Sequence, residues 1–355
     1  MNHQSPVCMI QAGACTAVGA SAVASAAAIR AKIAEFAQHP YMIDKEGEPM
    51  IVARATYLPD KLEGIERFIA LATLAAQATL KPLNHVSSRI IPIPIIIGLP
   101  SPRPGLPEAL EKQLKRQLSS IPEVYCRIAD IEVVFAGHAA GLMALEIGWQ
   151  RIQQGKIACC LIGGVDCYLI PETLEWLDEN EQLHSEANAY GLIPGEAAGF
   201  CLLASEQWLQ QYHFNNWCRV LSVATAQETN LIKTDTVCIG KGLSEAVQQV
   251  LLALPAENKV TQTICDMNGE PYRADEYGFT IARTSERFVD ATDFLAPADC
   301  WGDVGAASGP LFLNLAMAAG LKGYAKGKHT LLWASSESGE RAAALIQVDI
   351  PQKEA

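Results

Sequence analysis

The chain repeats part of its sequence at an interval of 172 residues, and this repeat limits the folds open to it. At that interval, four positions of one segment carry the same residues as four positions of a later segment. The matched pairs are Gly137 with Gly309, Gly148 with Gly320, Gly155 with Gly327, and Lys156 with Lys328. Each copy reads as a helix rich in glycine and alanine, then Gly-Lys, then an apolar strand. The repeat predicts two similar α/β halves, 1–210 and 211–355, whose boundary falls within residues 206–217.

Hydrophobic patterning elsewhere alternates strands with helices, which is typical of an α/β protein. The predicted strands are 7–10, 90–99, 131–135, 159–162, 198–203, 220–226, 263–267, 330–334 and 342–348. The predicted helices are 21–36, 65–80, 106–118, 138–154, 242–254, 277–289 and 308–324. Prolines within 90–99 predict an edge strand or an interrupted ladder. Residues 39–59 read as a loop, and the sequence assigns no role to the stretch 41–125.

Composition describes an acidic globular protein. Half of the 355 residues are hydrophobic and 19% are charged, which excludes wholesale disorder. The net charge of −12 opposes binding to nucleic acid, because phosphates would be repelled. We therefore predict no nucleic-acid partner.

The cysteines and histidines point to neither disulfides nor a metal. The cysteine count of 11 is odd, Cys159 and Cys160 are neighbours, and no Cys-x-x-Cys occurs. Most cysteines sit in apolar runs, where a free thiol behaves as a small hydrophobic group. The seven histidines show no metal-ligand spacing. We predict free thiols, no metal and no cofactor, and a reducing, cytoplasmic location.

No segment is predicted to cross a membrane. Residues 4–29 carry no charge, but they are mostly Ala, Ser, Gly and Thr, and no Lys or Arg precedes them. They read as a strand, a turn and a helix. The apolar run 90–99 is too short to span a bilayer.

Four motifs in order resemble the β-ketoacyl synthases of the thiolase superfamily. His138-Ala-Ala-Gly-Leu-Met-Ala-Leu, followed by Leu161-Ile-Gly-Gly-Val, is similar to their nucleophile helix and next strand. Ala189-Tyr-Gly-Leu-Ile-Pro-Gly-Glu-Ala-Ala-Gly is similar to their Asp-Gly-Phe-x-x-Gly-Glu-Gly-Ala segment. Gln11-Ala-Gly-Ala-Cys-Thr-Ala-Val-Gly resembles their opening motif, and Gly302-Asp-Val-Gly-Ala-Ala-Ser their Gly-Asn-x-x-Ala-Ala-Ser. The resemblance implies a five-layered αβαβα duplication, usually dimeric.

The resemblance also implies which residues stand at the catalytic positions. Family members condense acyl groups with a Cys thiolate, which a helix N-terminus stabilises. Two further polar residues stabilise the enolate formed when malonyl carrier protein loses carbon dioxide. His138 falls on the nucleophile position, Asn268 on the first enolate position and Asp303 on the second. The oxyanion loop falls on residues 335–339. This pattern implies a relative that has lost the condensing triad and binds an acyl group or a partner protein without condensation.

Other interpretations of these residues stay open. His138 could simply fill a closed pocket, Asn268 could form a turn with the following glycine, and Asp303 could cap a helix. The alternative function is an acyltransferase or thioester-processing enzyme, a decarboxylase or hydrolase, that uses the three residues on acyl carrier protein or acyl-CoA. A condensing enzyme with another cysteine is a third reading. An open tunnel beside His138 would favour acyl binding or catalysis, and a filled one would favour a structural role. The residues expected to fill it are Met143, Phe200 and Trp301.

The resemblance finally implies partners and one structural residue. An acyl carrier protein or acyl-CoA is a possible partner, and a homodimer or a heterodimer with a related synthase is expected. Lys112, Lys115 and Arg116 share one helix face, which we interpret as a solvated face rather than a docking site. Glu196 is expected to be buried and to accept backbone N–H groups.

Overall fold

Ten strands of the described chain lie in two sets of five that share one order. The computed structural model describes residues 6–85, 90–122, 126–215, 217–232 and 234–348. The strands of the first half are β1 (Val7–Thr16), β2 (Ala37–Ile43), β3 (Pro49–Val52), β4 (Ile91–Leu99), β5 (Cys126–Phe135), β6 (Cys159–Cys167) and β7 (Glu196–Ser205). Those of the second half are β8 (Cys218–Gln227), β9 (Gln262–Cys265), β10 (Phe294–Leu295), β11 (His329–Ser335) and β12 (Glu340–Gln347).

The order of the strands confirms the duplication. The first set runs β5-β4-β6-β7-β1 and the second runs β10-β9-β11-β12-β8, which is the same order of corresponding strands. The directions also correspond. The central strand of each set is parallel to one neighbour and antiparallel to the other. The two sets join where β1 pairs antiparallel with β8 over Val7–Met9 and Cys218–Val220.

Helices fill the layers around and between the two sets. They are α1 (Ala22–Ala31), α2 (Gly64–Leu80), α3 (Leu110–Ser119), α4 (Ala140–Gln153), α5 (Pro171–Glu179), α6 (Glu206–Gln211), α7 (Lys241–Leu251), α8 (Pro271–Thr284), α9 (Ala298–Trp301) and α10 (Ser308–Leu321). Helices α4 and α10 contact each other and strands of both sets. Helix α2 covers the outer face of the first set and α7 that of the second. This arrangement is the predicted five-layered α/β fold.

The repeated glycines let the middle helices approach the strands. A Cβ atom on Gly148 would lie 2.9 Å from the thiol sulfur of Cys160, and one on Gly320 would lie 2.7 Å from Cβ of Val348. Both distances are shorter than side chains tolerate. The interval read from the sequence was nevertheless wrong for these helices, because α4 (from Ala140) and α10 (from Ser308) correspond at 168 residues rather than 172, so Gly148 and Gly320 are not equivalent positions. The predicted boundary between residues 210 and 211 falls in the last turn of α6 and stays a prediction.

Several local predictions were wrong. The supposed loop 39–59 contains a hairpin of β2 and β3, whose strands are short and mostly exposed. Strand β4 is not an edge strand, since it lies between β5 and β6. Its ladder is nevertheless interrupted, because the register with β5 shifts between Ile93 and Ile95, at the second proline. Helix α8 begins at Pro271, ahead of the predicted start at Tyr277.

Strand β6 continues past the predicted stop at Gly163-Gly164. Both glycines allow a close approach within the core. A Cβ atom on Gly163 would lie 2.3 Å from the ring of Phe200, and one on Gly164 would lie 2.1 Å from the backbone oxygen of Ala306. The glycine pair therefore marks close packing rather than a turn.

None of the eleven cysteines forms a disulfide in this structure. Among the described helices, no helix is both long enough and apolar enough to cross a membrane.

Candidate functional site

The three predicted site residues meet where the two halves face each other. His138 lies in a short 3-10 turn, Gly137–Ala139, that leads into α4. Asp303 lies between α9 and the 3-10 turn Gly305–Ala307, which leads into α10. Asn268 follows β9. The repeat therefore brings the starts of the two middle helices together, and each supplies one side chain.

Asp303 is the centre of this cluster. Its carboxylate oxygens lie 2.8 Å and 2.9 Å from Nε2 of His138. Nδ2 of Asn268 donates to Oδ2 at 2.6 Å, and the backbone N–H of Gly305 donates to Oδ1 at 2.9 Å. The last contact joins Asp303 to the first residue of the 3-10 turn, but the N-cap position of that turn is Val304, so Asp303 is not the helix N-cap that the sequence left open. Asp303 and His138 are 3% and 6% exposed, so this is a buried ion pair.

The pair shifts both pKa values in opposite directions. Burial alone would raise the pKa of Asp303, but the charge of His138 and its hydrogen bond hold that pKa well below the usual range. Burial alone would lower the pKa of His138, but the charge of Asp303 and its hydrogen bond raise that pKa above 6.5. The arrangement therefore favours imidazolium paired with carboxylate.

These shifts predict a stability optimum in mildly acidic solution. The lowered pKa of Asp303 gives stability above its unfolded pKa of about 4, and this stability is lost as the pH falls. The raised pKa of His138 gives stability below its unfolded pKa of about 6.5, and this stability is lost as the pH rises through the folded value. The contribution of the pair is thus greatest between about pH 4 and about pH 6.5.

Urea unfolding across this range checks the prediction, with Asp303→Asn as the matched variant. We expect the wild type to lose more stability than Asp303→Asn on either side of that window. Identical pH profiles for the two proteins would contradict the ion pair.

The sequence did not reveal the second cation of the cluster, Arg273. This side chain is fully buried on α8. Its Nη1 donates to Oδ2 of Asp266 at 2.7 Å and to the backbone oxygen of Ser335 at 2.8 Å. Its Nη2 lies 3.2 Å from Nε2 of His138. Because guanidinium offers only donors, and Nε2–H donates to Asp303, this last contact brings two positive groups together. Arg273 accordingly opposes the rise in the pKa of His138.

His138 also lines a cavity of about 200 Å³. The other lining residues are Ser101, Pro102, Arg103, Gly137, Tyr168, Trp176, Leu177, Leu192, Ser336, Glu337 and Ser338. Met143, Phe200 and Trp301, the residues expected to fill a tunnel here, are not among them. The cavity is open, but it is smaller than the roughly 300–1,000 Å³ of most small-molecule sites. It has room for a small group.

The loop 335–339 approaches the start of α4, as the resemblance implied. Ser336 accepts a hydrogen bond at 2.9 Å from the backbone N–H of Ala139, and its hydroxyl donates to the backbone oxygen of Ala136. The N–H of Ala139 is one of the donors that could otherwise stabilise an oxyanion at this helix start. In this structure the N–H of Ala139 already donates to the Ser336 hydroxyl and is not available to an oxyanion.

No cysteine lines the cavity beside His138. Cys167, at the end of β6, is buried, and its sulfur lies 3.4 Å from Oε2 of Glu196. Burial and the neighbouring carboxylate raise the pKa of this thiol well above its usual value. A thiol in that state is a poor nucleophile.

One group of side chains has the composition of a metal site but already has partners. Glu228, Cys238 and Glu276 can place one ligand atom each within 4.8 Å of one another. However, Glu228 accepts the N–H of Gly242 at the start of α7, at 2.9 Å, and Glu276 accepts the Nε of Arg341 at 2.5 Å. One oxygen of each carboxylate is thus engaged, whereas Oε2 of Glu276 has no hydrogen-bond partner among the described residues, and we assign no ion to the group.

Part of the sequence matches a known family. The sequence model described as the β-ketoacyl synthase N-terminal domain matches residues 132–207, which include α4, β6 and β7. This segment carries His138. No curated protein matches the chain significantly.

The fold matches solved structures over nearly the whole chain. One is a type II polyketide synthase acyl-carrier protein in complex with its ketosynthase (AntDE:AntF), with a TM-score of 0.77 at 13% identity, covering 98% of this chain and 100% of that chain. Another is the ishigamide ketosynthase/chain length factor, with a TM-score of 0.77 at 14% identity, covering 97% and 99%. A third is the ketosynthase from module 6 of the bacillaene synthase of Bacillus subtilis 168, with a TM-score of 0.76 at 11% identity, covering 98% and 72%. The chain therefore has the thiolase-like fold of the ketosynthases, and its residues 132–207 match the sequence model of the β-ketoacyl synthase N-terminal domain.

Proposed function

We propose that this protein is a ketosynthase-like subunit that does not condense acyl groups and acts through a partner protein. The observation that carries the proposal is the buried ion pair between His138 and Asp303 at the start of α4. This is the position at which the resemblance implies the nucleophile. A side chain held there by both oxygens of a carboxylate is fixed in place and has no thiol to acylate.

The electrostatics of the site also oppose condensation. The raised pKa of His138 favours its charged form, which is neither a nucleophile nor a base. The negative charge of Asp303 would repel an enolate that forms beside it. Arg273 could stabilise an anion, but it is paired with Asp266.

The free edge of β5 supports association with a related synthase. Among the described strands β5 pairs with β4 alone, so its other edge offers unpaired backbone groups over ten residues. Phe135 at its end is 47% exposed. One matched structure is named a ketosynthase/chain length factor, which supports an analogous pairing of this chain with an active ketosynthase. The partner synthase would add a strand at this edge.

An acyl carrier protein is a weaker candidate partner. A matched structure contains one bound to its ketosynthase. In this chain Lys112 and Arg116 are exposed on α3, while Lys115 pairs with Glu111 at 2.7 Å. We propose that an acidic carrier binds the active partner, since the net charge of −12 on this chain would repel it.

Intact-protein mass spectrometry with acyl- and malonyl-thioesters tests the loss of condensation. The purified chain is compared with His138→Ala and His138→Cys, and free acid and condensed product are followed in the same reactions. We expect no covalent adduct and no turnover for the wild type and for His138→Ala. We expect His138→Cys to gain an acyl adduct, since it places a thiol at a helix start beside an open cavity.

Two results would contradict the proposal. An adduct on a cysteine that persists in His138→Ala would show a condensing enzyme with another nucleophile. Turnover without an adduct, lost in His138→Ala, would show thioester chemistry by His138, Asn268 and Asp303.

A further inference from the structure

A second cavity, about 560 Å³ in volume, opens between β1, α1 and α10. Its lining residues are Gln11, Ala12, Ala22, Val23, Ala26, Ala27, Arg30, Ala31, Asn314, Met317, Ala318, Leu321, Lys322 and Tyr324. None of them lines the cavity at His138. The volume lies within the roughly 300–1,000 Å³ that small-molecule sites occupy. We call this space the α1–α10 cavity.

Small side chains keep the α1–α10 cavity open. Helix α1 turns four alanines toward it, and these are too short to reach the facing helix. Larger apolar groups stand at its margin, where Val23 is 70% exposed and Leu321 is 42% exposed. An apolar cavity of this volume is a candidate ligand site.

The charges at the α1–α10 cavity are all of one sign. Arg30 and Lys322 are its charged residues, and among the described residues no Asp or Glu lines it, although the chain as a whole carries −12. Within the described residues neither cation forms an ion pair. Instead, the Arg30 guanidinium lies 4.3 Å from the centre of the Tyr324 ring, which holds it at the rim. The cavity thus joins an apolar wall to two unpaired cations.

We propose that the α1–α10 cavity binds a straight-chain carboxylate, a fatty acid in its free form. Its alkyl chain lies along the alanines of α1, and its carboxylate is bound by Arg30 and Lys322. This site goes beyond the proposed function, since it shares no residue with the His138 cavity and needs no partner subunit.

The two features together favour this ligand over other occupants. A neutral lipid would leave both cations unused, and inorganic phosphate would leave the apolar wall uncovered. A second copy of the chain, related by a two-fold axis on this surface, would bring the same two cations toward their own counterparts. Such a contact is repulsive. An amphiphilic anion, in contrast, covers the apolar wall with its alkyl chain and pairs its negative group with the two cations.

Calorimetric titration with dodecanoate, below its micellar concentration, tests the proposal. Dodecyltrimethylammonium is the matched probe, because it has the same chain and the opposite charge. We expect dodecanoate to bind one site per chain at least tenfold more tightly than the cation. The tenfold ratio corresponds to about 1.4 kcal/mol.

Two variants and one control locate the site. Arg30→Gln/Lys322→Gln should weaken dodecanoate binding at least tenfold and abolish the preference for the anion. Ala27→Phe should abolish binding of both probes by filling the cavity. Ala27 is exposed, so the fold should tolerate the change. Lys112→Gln removes an exposed cation on α3 and should leave the affinity unchanged.

Three results would overturn the proposal. Equal affinity for the two probes would exclude a role for the cations. Full binding to Ala27→Phe would place the ligand elsewhere. Self-association of the wild type that Ala27→Phe removes, seen by sedimentation, would show that a second copy occupies the surface. These results can be told apart from a failure of the proposed function, because the thioester experiment tests only the chemistry at His138.

Discussion

Replacing Asp303 with alanine is expected to lower the free energy of unfolding by about 3–5 kcal/mol, the usual effect of breaking a buried ion pair. The carboxylate neutralises His138 inside the protein, where the pair is almost wholly buried. Its removal leaves the imidazolium unpaired and 3.2 Å from the guanidinium of Arg273. It also removes the acceptor for the N–H of Gly305 and for one amide hydrogen of Asn268.

Equilibrium unfolding in urea measures this loss, because the free energy falls linearly with denaturant. Lys115→Ala is the control, since it breaks a half-exposed pair on α3 that should contribute about 0.3–0.5 kcal/mol. The loss of unfolding free energy in Asp303→Asn should lie between those of Asp303→Ala and Lys115→Ala, because asparagine keeps a hydrogen-bond acceptor but removes the charge.

A second measurement separates the ion pair from simple packing. Without the carboxylate, burial and Arg273 lower the pKa of His138, and only the weaker influence of the Asp266 charge still raises it. Nuclear magnetic resonance titration of His138 in Asp303→Asn should therefore give a pKa below that of the wild type. A loss of stability under 1 kcal/mol in Asp303→Ala, or an unchanged pKa in Asp303→Asn, would contradict the buried pair.

The duplication was only partly readable from the sequence, because the shared glycines pointed to the wrong interval. The two middle helices correspond at an interval of 168 residues, since α4 begins at Ala140 and α10 begins at Ser308. Gly148 and Gly320, which were paired at an interval of 172, therefore lie at different places on the two helices and approach non-corresponding neighbours. The resemblance also brought His138 and Asp303 together, since each stands just before one of these helices.

Arg273 was not predictable in the same way. Its partners Asp266, Ser335 and His138 come from three separate segments. No spacing along the chain links these segments, and only their packing creates the contact. The start of α8 at Pro271 was also missed, because a polar turn precedes the apolar positions of that helix. The hairpin of β2 and β3 was missed because exposed strands lack an alternating apolar pattern.

Glu196 shows how far a resemblance predicts an interaction. The expectation was a buried carboxylate that accepts backbone N–H groups, and the N–H of Ala55 does donate to Oε1 at 2.8 Å. The main partner is Arg67 on α2, whose Nη2 donates to Oε1 at 2.6 Å and whose Nε donates to Oε2. Arg67 also donates to the backbone oxygen of Ala55 at 3.2 Å. The pair therefore ties α2 and the segment at Ala55 to the start of β7.

Glu196→Ala should lower the free energy of unfolding by about 3–5 kcal/mol, because it leaves the Arg67 charge buried without its counter-ion. The double variant Arg67→Met/Glu196→Leu should recover more than half of this loss, since removing both charges leaves no uncompensated ion. Recovery should stay incomplete, because the N–H of Ala55 would still lack its acceptor, at a cost of about 1–3 kcal/mol. Urea unfolding of the three proteins measures both effects. A double variant as unstable as Glu196→Ala would contradict this account. It would show that the Glu196 carboxylate stabilises the protein mainly by accepting the N–H of Ala55 and by its packing, and that its pairing with the charge of Arg67 contributes little.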